Sequence, residues 1–362
     1  MDPHGPIAKR FPLVARFRPA CLPPPDRVQA LADLASRAAE QNDQGLASTV
    51  FNQAALLASD VGLPDLARSI CHRHAQAYLT AGPLPAMSAI RGLEPLINLA
   101  RLQIRAGNPD NARQRLLDLY EAVGTGTPVT FEGITVPDNL THTDKDRHEV
   151  HAWLWRVLLA DGTRTLTTTG RWPEALAHIE RHHGIGTRML DGRQVAIVAA
   201  LTEGRTDRAA ALLTTTAPGE PWEQIVTICL TVFCRRDADQ AVDGQVAHLV
   251  NVYLGHVAKP GLTIFDIRLG LTAFDAACTP AHPEARKLAE DIVRRAIDAH
   301  DGYAARELAM HPVAVALVAA TQAQDCRDLI RTCALGVGTI PDELQATLSG
   351  ALDTAGRVLT AR

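Results

Sequence analysis

The sequence predicts an all-α fold of stacked helical hairpins, and three observations carry that prediction. Apolar residues recur at helical spacing along most of the chain, glycine, proline and capping acids punctuate them, and a single stretch alternates as strands do. With 362 residues, the chain is long enough for two or three domains of roughly 150 residues each. It is 46% hydrophobic but only 4% aromatic, so Leu, Ala and Val must build the core.

Residues 1–25 read as an extended arm, rich in proline and broken by Lys9, Arg10, Arg16 and Arg18, either loosely docked or partner-binding. A helical region spans 26–216. "DRVQALADLASRAAEQ" places Val28, Leu31, Leu34 and Ala35 on one face, with Asp26 as N-cap. "GLASTVFNQAALLASDVG", "LPDLARSICHRHAQAYLTAG", "LEPLINLARLQIRAG" and "NPDNARQRLLDLYEAVG" follow the same plan. The insertion at 124–140 alternates Val129, Phe131, Ile134 and Val136 around Glu132-Gly133, which predicts a short β-hairpin. Helical periodicity resumes at Asp144 and runs through 217–362, with turn signals at "APGEP", "KPG", "CTPAHP" and "GVGTIP".

Four turns share one pattern: "GLPDLA", "GNPDNA", "GRWPEA" and "GRTDRA". Each places Ala five residues after Gly, at Ala67, Ala112, Ala175 and Ala209. Glycine ends one helix and permits a tight reversal, Pro or an acid suits the next helix start, and a small Ala lets the pair approach. This resembles the tetratricopeptide (TPR) repeat, over about residues 44–216. Ala55 and Ala100 match a further small-residue position of that family, whereas Thr163 and Ile197 depart from it. The second helix-B alanine is replaced by His74, Leu119, His182 and Thr216, and only Gly170 to Gly204 keeps the family's spacing.

The resemblance implies a right-handed superhelix whose first helices line a concave groove. The matching groove positions are Asn52, Arg101, Arg105, Arg164, Asp191 and Gln194, and Arg193 joins them at the start of the same helix as Asp191. Three arginines on one groove suit a carboxylate or phosphate; the competing expectation is that nearby acids already pair them.

The densest chemical stretch is "THTDKDRHEVHAWLWR" from Thr141. His148 and His151 stand three apart and Asp144 four before His148, so the three can share a helix face and hold a divalent metal, with Glu149 as base. "HEVH" lacks the four-residue histidine spacing of HExxH, however, and a capped helix with Thr143 or Asp144 at its start accounts for the same residues. "CHRH" from Cys71 has no second ligand pair, and "ERHHGIG" suits a helix end. The glycines of "GIGTRMLDGRQ" follow a helix and lack a phosphate-loop lysine, so they predict a connector.

Composition narrows the function classes. A formal charge of −4 without a basic stripe argues against nucleic-acid binding. Seven scattered cysteines without a CxxC pair predict buried thiols in a reducing cytosol. No apolar run reaches the roughly 18 to 20 residues of a membrane span. Scarce lysine beside abundant arginine and alanine suggests a bacterial genome rich in GC. The expected function is a cytoplasmic, non-catalytic interaction protein or scaffold that needs no cofactor. Its groove would bind a peptide, a partner protein or an acidic small ligand. The alternatives are an enzyme or biosynthetic accessory protein with a pocket among the helices, metal-dependent through Asp144, His148 and His151, and a ligand sensor paired with a separate regulator.

Overall fold

The computed structural model describes residues 1–277, 283–317 and 319–361, so Cys278 and the turn expected from it lie outside the described residues. The helices run α1 Pro6–Arg10, α2 Pro24–Gln41, α3 Gln44–Val61, α4 Pro64–Leu79, α5 Ala86–Arg105, α6 Pro109–Thr125 and α7 Asp144–Val157. A π-helical turn, Leu158–Gly162, leads into α8 Thr163–Thr167, α9 Trp172–Arg181, α10 Asp191–Thr202, α11 Thr206–Thr214, α12 Pro221–Asp237 and α13 Asp243–Leu254. The rest are α14 Thr263–Ala277, α15 Pro283–Asp298, α16 Gly302–Ala309, α17 Pro312–Ala316, α18 Ala320–Thr332 and α19 Asp342–Thr360. The only described strands are β1 Val129–Phe131 and β2 Ile134–Val136, so the fold is all-α apart from one hairpin. None of the described helices is long and apolar enough to cross a membrane.

The described residues form two compact units. The first comprises Met1–Leu22 and Leu166–Cys333, and the second comprises Pro23–Thr165 and Ala334–Arg362. This division differs from the linear one expected from the sequence. The arm belongs with the helices after 166, and the last helix belongs with the first long ones.

In the second unit each helix from α2 to α7 packs on the next, and α3, α5 and α7 touch along one side. α19 lies against α2, α3 and α4. The first long helix starts at Pro24, with Asp26 inside its first turn rather than at the cap, because Pro23 takes the extended N-cap position. Asp43 caps α3 by accepting from the Gly45 and Leu46 amides. The hairpin pairs Val129 with Val136 and Phe131 with Ile134 across a turn in which Glu132 and Gly133 both have positive φ. Phe131, Ile134 and Val136 face the core, while Glu132 folds back to accept hydrogen bonds from Gln103 (2.7 Å) and Arg68 (3.1 Å).

The four repeated turns prove to be the same object, two in each unit. Gly62, Gly107, Gly170 and Gly204 all have φ between 70° and 96°. The next residue then donates to a carbonyl five back: Leu63 to Ala58, Asn108 to Gln103, Arg171 to Leu166, Arg205 to Ala200. That is the hydrogen-bond pattern of a left-handed helix stop. Ala67, Ala112, Ala175 and Ala209 are each 0% exposed, so a larger residue at any of them would wedge the hairpin open. No neighbour lies within 4 Å of a Cβ added at Gly107, so a substitution there reports backbone strain alone. Gly107→Ala is expected to lower stability by about 1 to 2 kcal/mol. Gly107→Asn is expected to cost less, because Asn tolerates the left-handed region. Urea denaturation of the pair checks this, and equal loss from both substitutions would contradict it.

In the first unit α9 packs on α10, α10 on α11, and α12 on α13 and α14, with α14, α15, α16 and α18 completing the group. The arm is neither loose nor wholly extended. It forms α1 and then continues without regular secondary structure from Phe11 to Pro23. Ala8, Phe11, Leu13 and Cys21 are buried.

Candidate functional site

The side of the second unit shared by α3, α5 and the π-helical turn carries a connected polar chain. The Asn52 amide donates to Glu94 (2.8 Å) and accepts from the Asn98 amide (2.9 Å). Asn98 accepts in turn from Arg101 (3.0 Å), and Arg101 grips Asp161 through Nε (3.2 Å) and a terminal nitrogen (2.8 Å). Glu94, Asn98, Arg101 and Arg105 follow each other by four, three and four residues, which puts all of them on one stripe of α5. Asp161 reaches that stripe from the π-helical turn, where the wider i→i+5 hydrogen-bonded turn shifts the helix phase. Burial pushes the Glu94 carboxyl above the usual carboxylate range, while its bond from Asn52 holds it down. The Arg101 side chain remains 51% exposed, whereas Asp161 is 15% exposed. The result is a half-open row of carboxamides ending in a positioned guanidinium. Carboxamides both donate and accept, as a peptide backbone does, and a planar guanidinium suits a carboxylate.

The structure links Asn52 and Arg101 of the expected groove set through Asn98. It sends Arg105 elsewhere: Arg105 hydrogen-bonds the Ser59 hydroxyl and lies 3.5 Å from Asp60, which also pairs with Arg27. Arg101 and Arg105 are therefore both charge-paired within the unit, the competing expectation from the sequence. Arg164 is exposed on α8.

The remaining three are in the first unit, and their geometry corrects the expectation that all three face a groove. Gln194 is 0% exposed and Arg193 6%. Arg193 donates to the carbonyls of Leu212 (2.6 Å) and Gly186 (3.3 Å) and to Thr215 and Thr216, stapling the end of α11. Gln194 and Asp191 do bind a peptide, but that peptide is the chain's own arm. Gln194 accepts from the Leu13 amide (2.6 Å) and donates to the Leu13 carbonyl (2.7 Å), and Asp191 holds Arg16 at 2.8 Å. Glu94, Asn98 and Asp161 were not singled out from the sequence. For the first two the four-three-four stripe was the available signal.

The histidine-rich stretch is a capped helix. Thr143 is the N-cap and accepts from the Asp146 amide, and its hydroxyl donates to the Asp146 carboxylate (2.6 Å). Asp146 also accepts from the amide of Ala86 (3.0 Å), so one carboxylate serves the starts of both α7 and α5. The His148 ring contacts the Asp144 carbonyl oxygen (2.6 Å), and Asp144 pairs with Arg147. His151 stacks on Tyr120 with ring centroids 4.0 Å apart, in space left by Gly124. Asp144, His148 and His151 are thus spent on three different contacts. Among the described residues no three His, Cys, Asp or Glu side chains gather closely enough to hold a metal ion.

The other two stretches also serve packing. In "CHRH", burial pushes the Cys71 thiol up to about 12, and His74 is 1% exposed, stacked on Phe51. In "ERHHGIG", α9 ends at Arg181 with His182 as its C-cap, and the absent Cβ of Gly192 leaves room for the Gly184 carbonyl. No protein-family model matches the chain, and no curated protein or solved structure matches it either.

Proposed function

We propose that the chain is a non-catalytic interaction protein of TPR-like helical hairpins, and that it binds an extended peptide segment of a partner along α3 and α5. The observation that carries this reading is the Asn52–Asn98–Arg101 row. Its carboxamides match the alternating donors and acceptors of an extended backbone, and the exposed edge of Arg101 matches an acidic side chain or terminal carboxylate. The same chemistry is present in the first unit, where the Gln194 carboxamide holds both backbone groups of Leu13.

A displayed library of random peptides, selected on the wild-type chain and on an Asn52→Ala/Asn98→Ala/Arg101→Ala variant, tests this. The expected result is a shared acidic motif enriched on the wild type, with affinity for the variant reduced about tenfold or more. Equal enrichment on both proteins would remove the assignment.

A further inference from the structure

The N-terminal arm is held in the first unit as a peptide ligand is held, by side chains rather than by a shared ladder. Four acidic or carboxamide side chains from distant parts of the sequence fix it. Asp275 pairs with Arg10, Gln194 takes both backbone groups of Leu13, Asp191 grips Arg16, and Asp301 accepts from the Cys21 amide (3.0 Å). Phe11 and Leu13 are each 2% exposed and supply apolar anchors. Backbone contacts are sparse: Arg18 donates to the Gly261 carbonyl (2.9 Å), and Cys21 accepts from the Gly302 amide (2.9 Å). The Arg18 guanidinium lies 3.9 Å from the Tyr303 ring centre. Charged anchors flank a pair of apolar ones along this irregular segment, with Arg10 and Arg16 six residues apart and matched to separate carboxylates.

We propose that this track is an extended-peptide site whose second occupant is the arm of another copy of this chain. Every anchor is written in the arm's own sequence, so a second copy presents the identical ligand. The arm joins the rest of the chain through the proline run at 23–25, and an arm that leaves its own track exposes Phe11 and Leu13 until another track covers them. This inference concerns the first unit and does not depend on the Asn52–Arg101 reading.

The probe is a labelled synthetic peptide of residues 1–22, titrated into the full-length Phe11→Ala/Leu13→Ala/Arg16→Glu chain, whose own arm is weakened. We expect saturable one-to-one binding, at least about 100-fold tighter than to the wild type, where the tethered arm competes at high effective concentration. A peptide carrying Arg16→Glu should bind poorly there and regain affinity for a chain that also carries Asp191→Arg. Light scattering of mixed Arg16→Glu and Asp191→Arg full-length chains should show a one-to-one heterodimer. Each chain alone should be monomeric, as should a chain with both substitutions. If the arm variant loses its helical circular dichroism, the wild-type chain with a protease site placed between Leu22 and Pro23 replaces it, cut and freed of its arm before titration. Absence of saturable binding by the folded protein overturns the site. Peptide binding without heterodimer overturns the second copy as its occupant.

Discussion

Gln194→Met is expected to destabilise the protein by about 4 kcal/mol, although methionine nearly matches glutamine in volume. Gln194 is 0% exposed, and its carboxamide satisfies the Leu13 amide, the Leu13 carbonyl and the Met189 carbonyl at 2.6 to 2.9 Å. Methionine keeps the packing but offers no N–H, so the buried Leu13 backbone groups lose their partners. Each orphan costs about 1 to 3 kcal/mol. Urea unfolding gives the energy. Limited trypsin digestion after Arg16 shows the cause, because a released arm is cut there and a held one is not. A Gln194→Met protein within about 1 kcal/mol of wild type, with equal trypsin resistance, would show that the carboxamide does not hold the arm.

The second large effect is on pH dependence. His74 sits between Phe51 and Tyr78 with a buried Nε2 that makes no hydrogen bond, and burial pushes the imidazole down to about 3. Its unfolded value is about 6.5, so between those two values the unfolded chain holds the proton and the folded chain does not. This contribution is complete above about pH 6.5 and is lost as pH falls, at up to about 1.4 kcal/mol per pH unit. By pH 4.5 it amounts to nearly 3 kcal/mol by the same relation, roughly two units below the unfolded value. A His74→Phe variant is expected to lose that part of the slope while keeping the part due to carboxylates. Urea midpoints of the two proteins, compared from pH 7 to pH 4.5, give the difference. Parallel curves would contradict the assignment.

Sequence reading reached what is local and missed what is not. The four Gly-to-Ala turns could be found because a positive φ at Gly62 or Gly107 and a fully covered Ala67 or Ala112 are demanded within six residues of chain. The hairpin around Glu132-Gly133 was visible for the same reason. The arm's place was not, since Leu13 meets Gln194 across 181 positions and Cys21 meets Asp301 across 280. At the candidate site, Asn52 and Arg101 followed from their repeat positions. Asp161 was hidden because the π-helical turn breaks the periodicity that would have placed it. The histidine cluster allowed both a capped helix and a metal site because spacing shows which side chains can share a face, not which partners they choose. His148 turned to the Asp144 carbonyl, and His151 to Tyr120.

The central claim is that the α3–α5 side of the second unit recognises an extended peptide. Amide hydrogen exchange of the wild-type chain, with and without a peptide enriched by selection, tests it most directly. The account predicts added protection concentrated in α3, in α5 and at residues 158–162, and its loss in the Asn52→Ala/Asn98→Ala/Arg101→Ala variant. Protection confined to other segments, or unchanged in that variant, would contradict it.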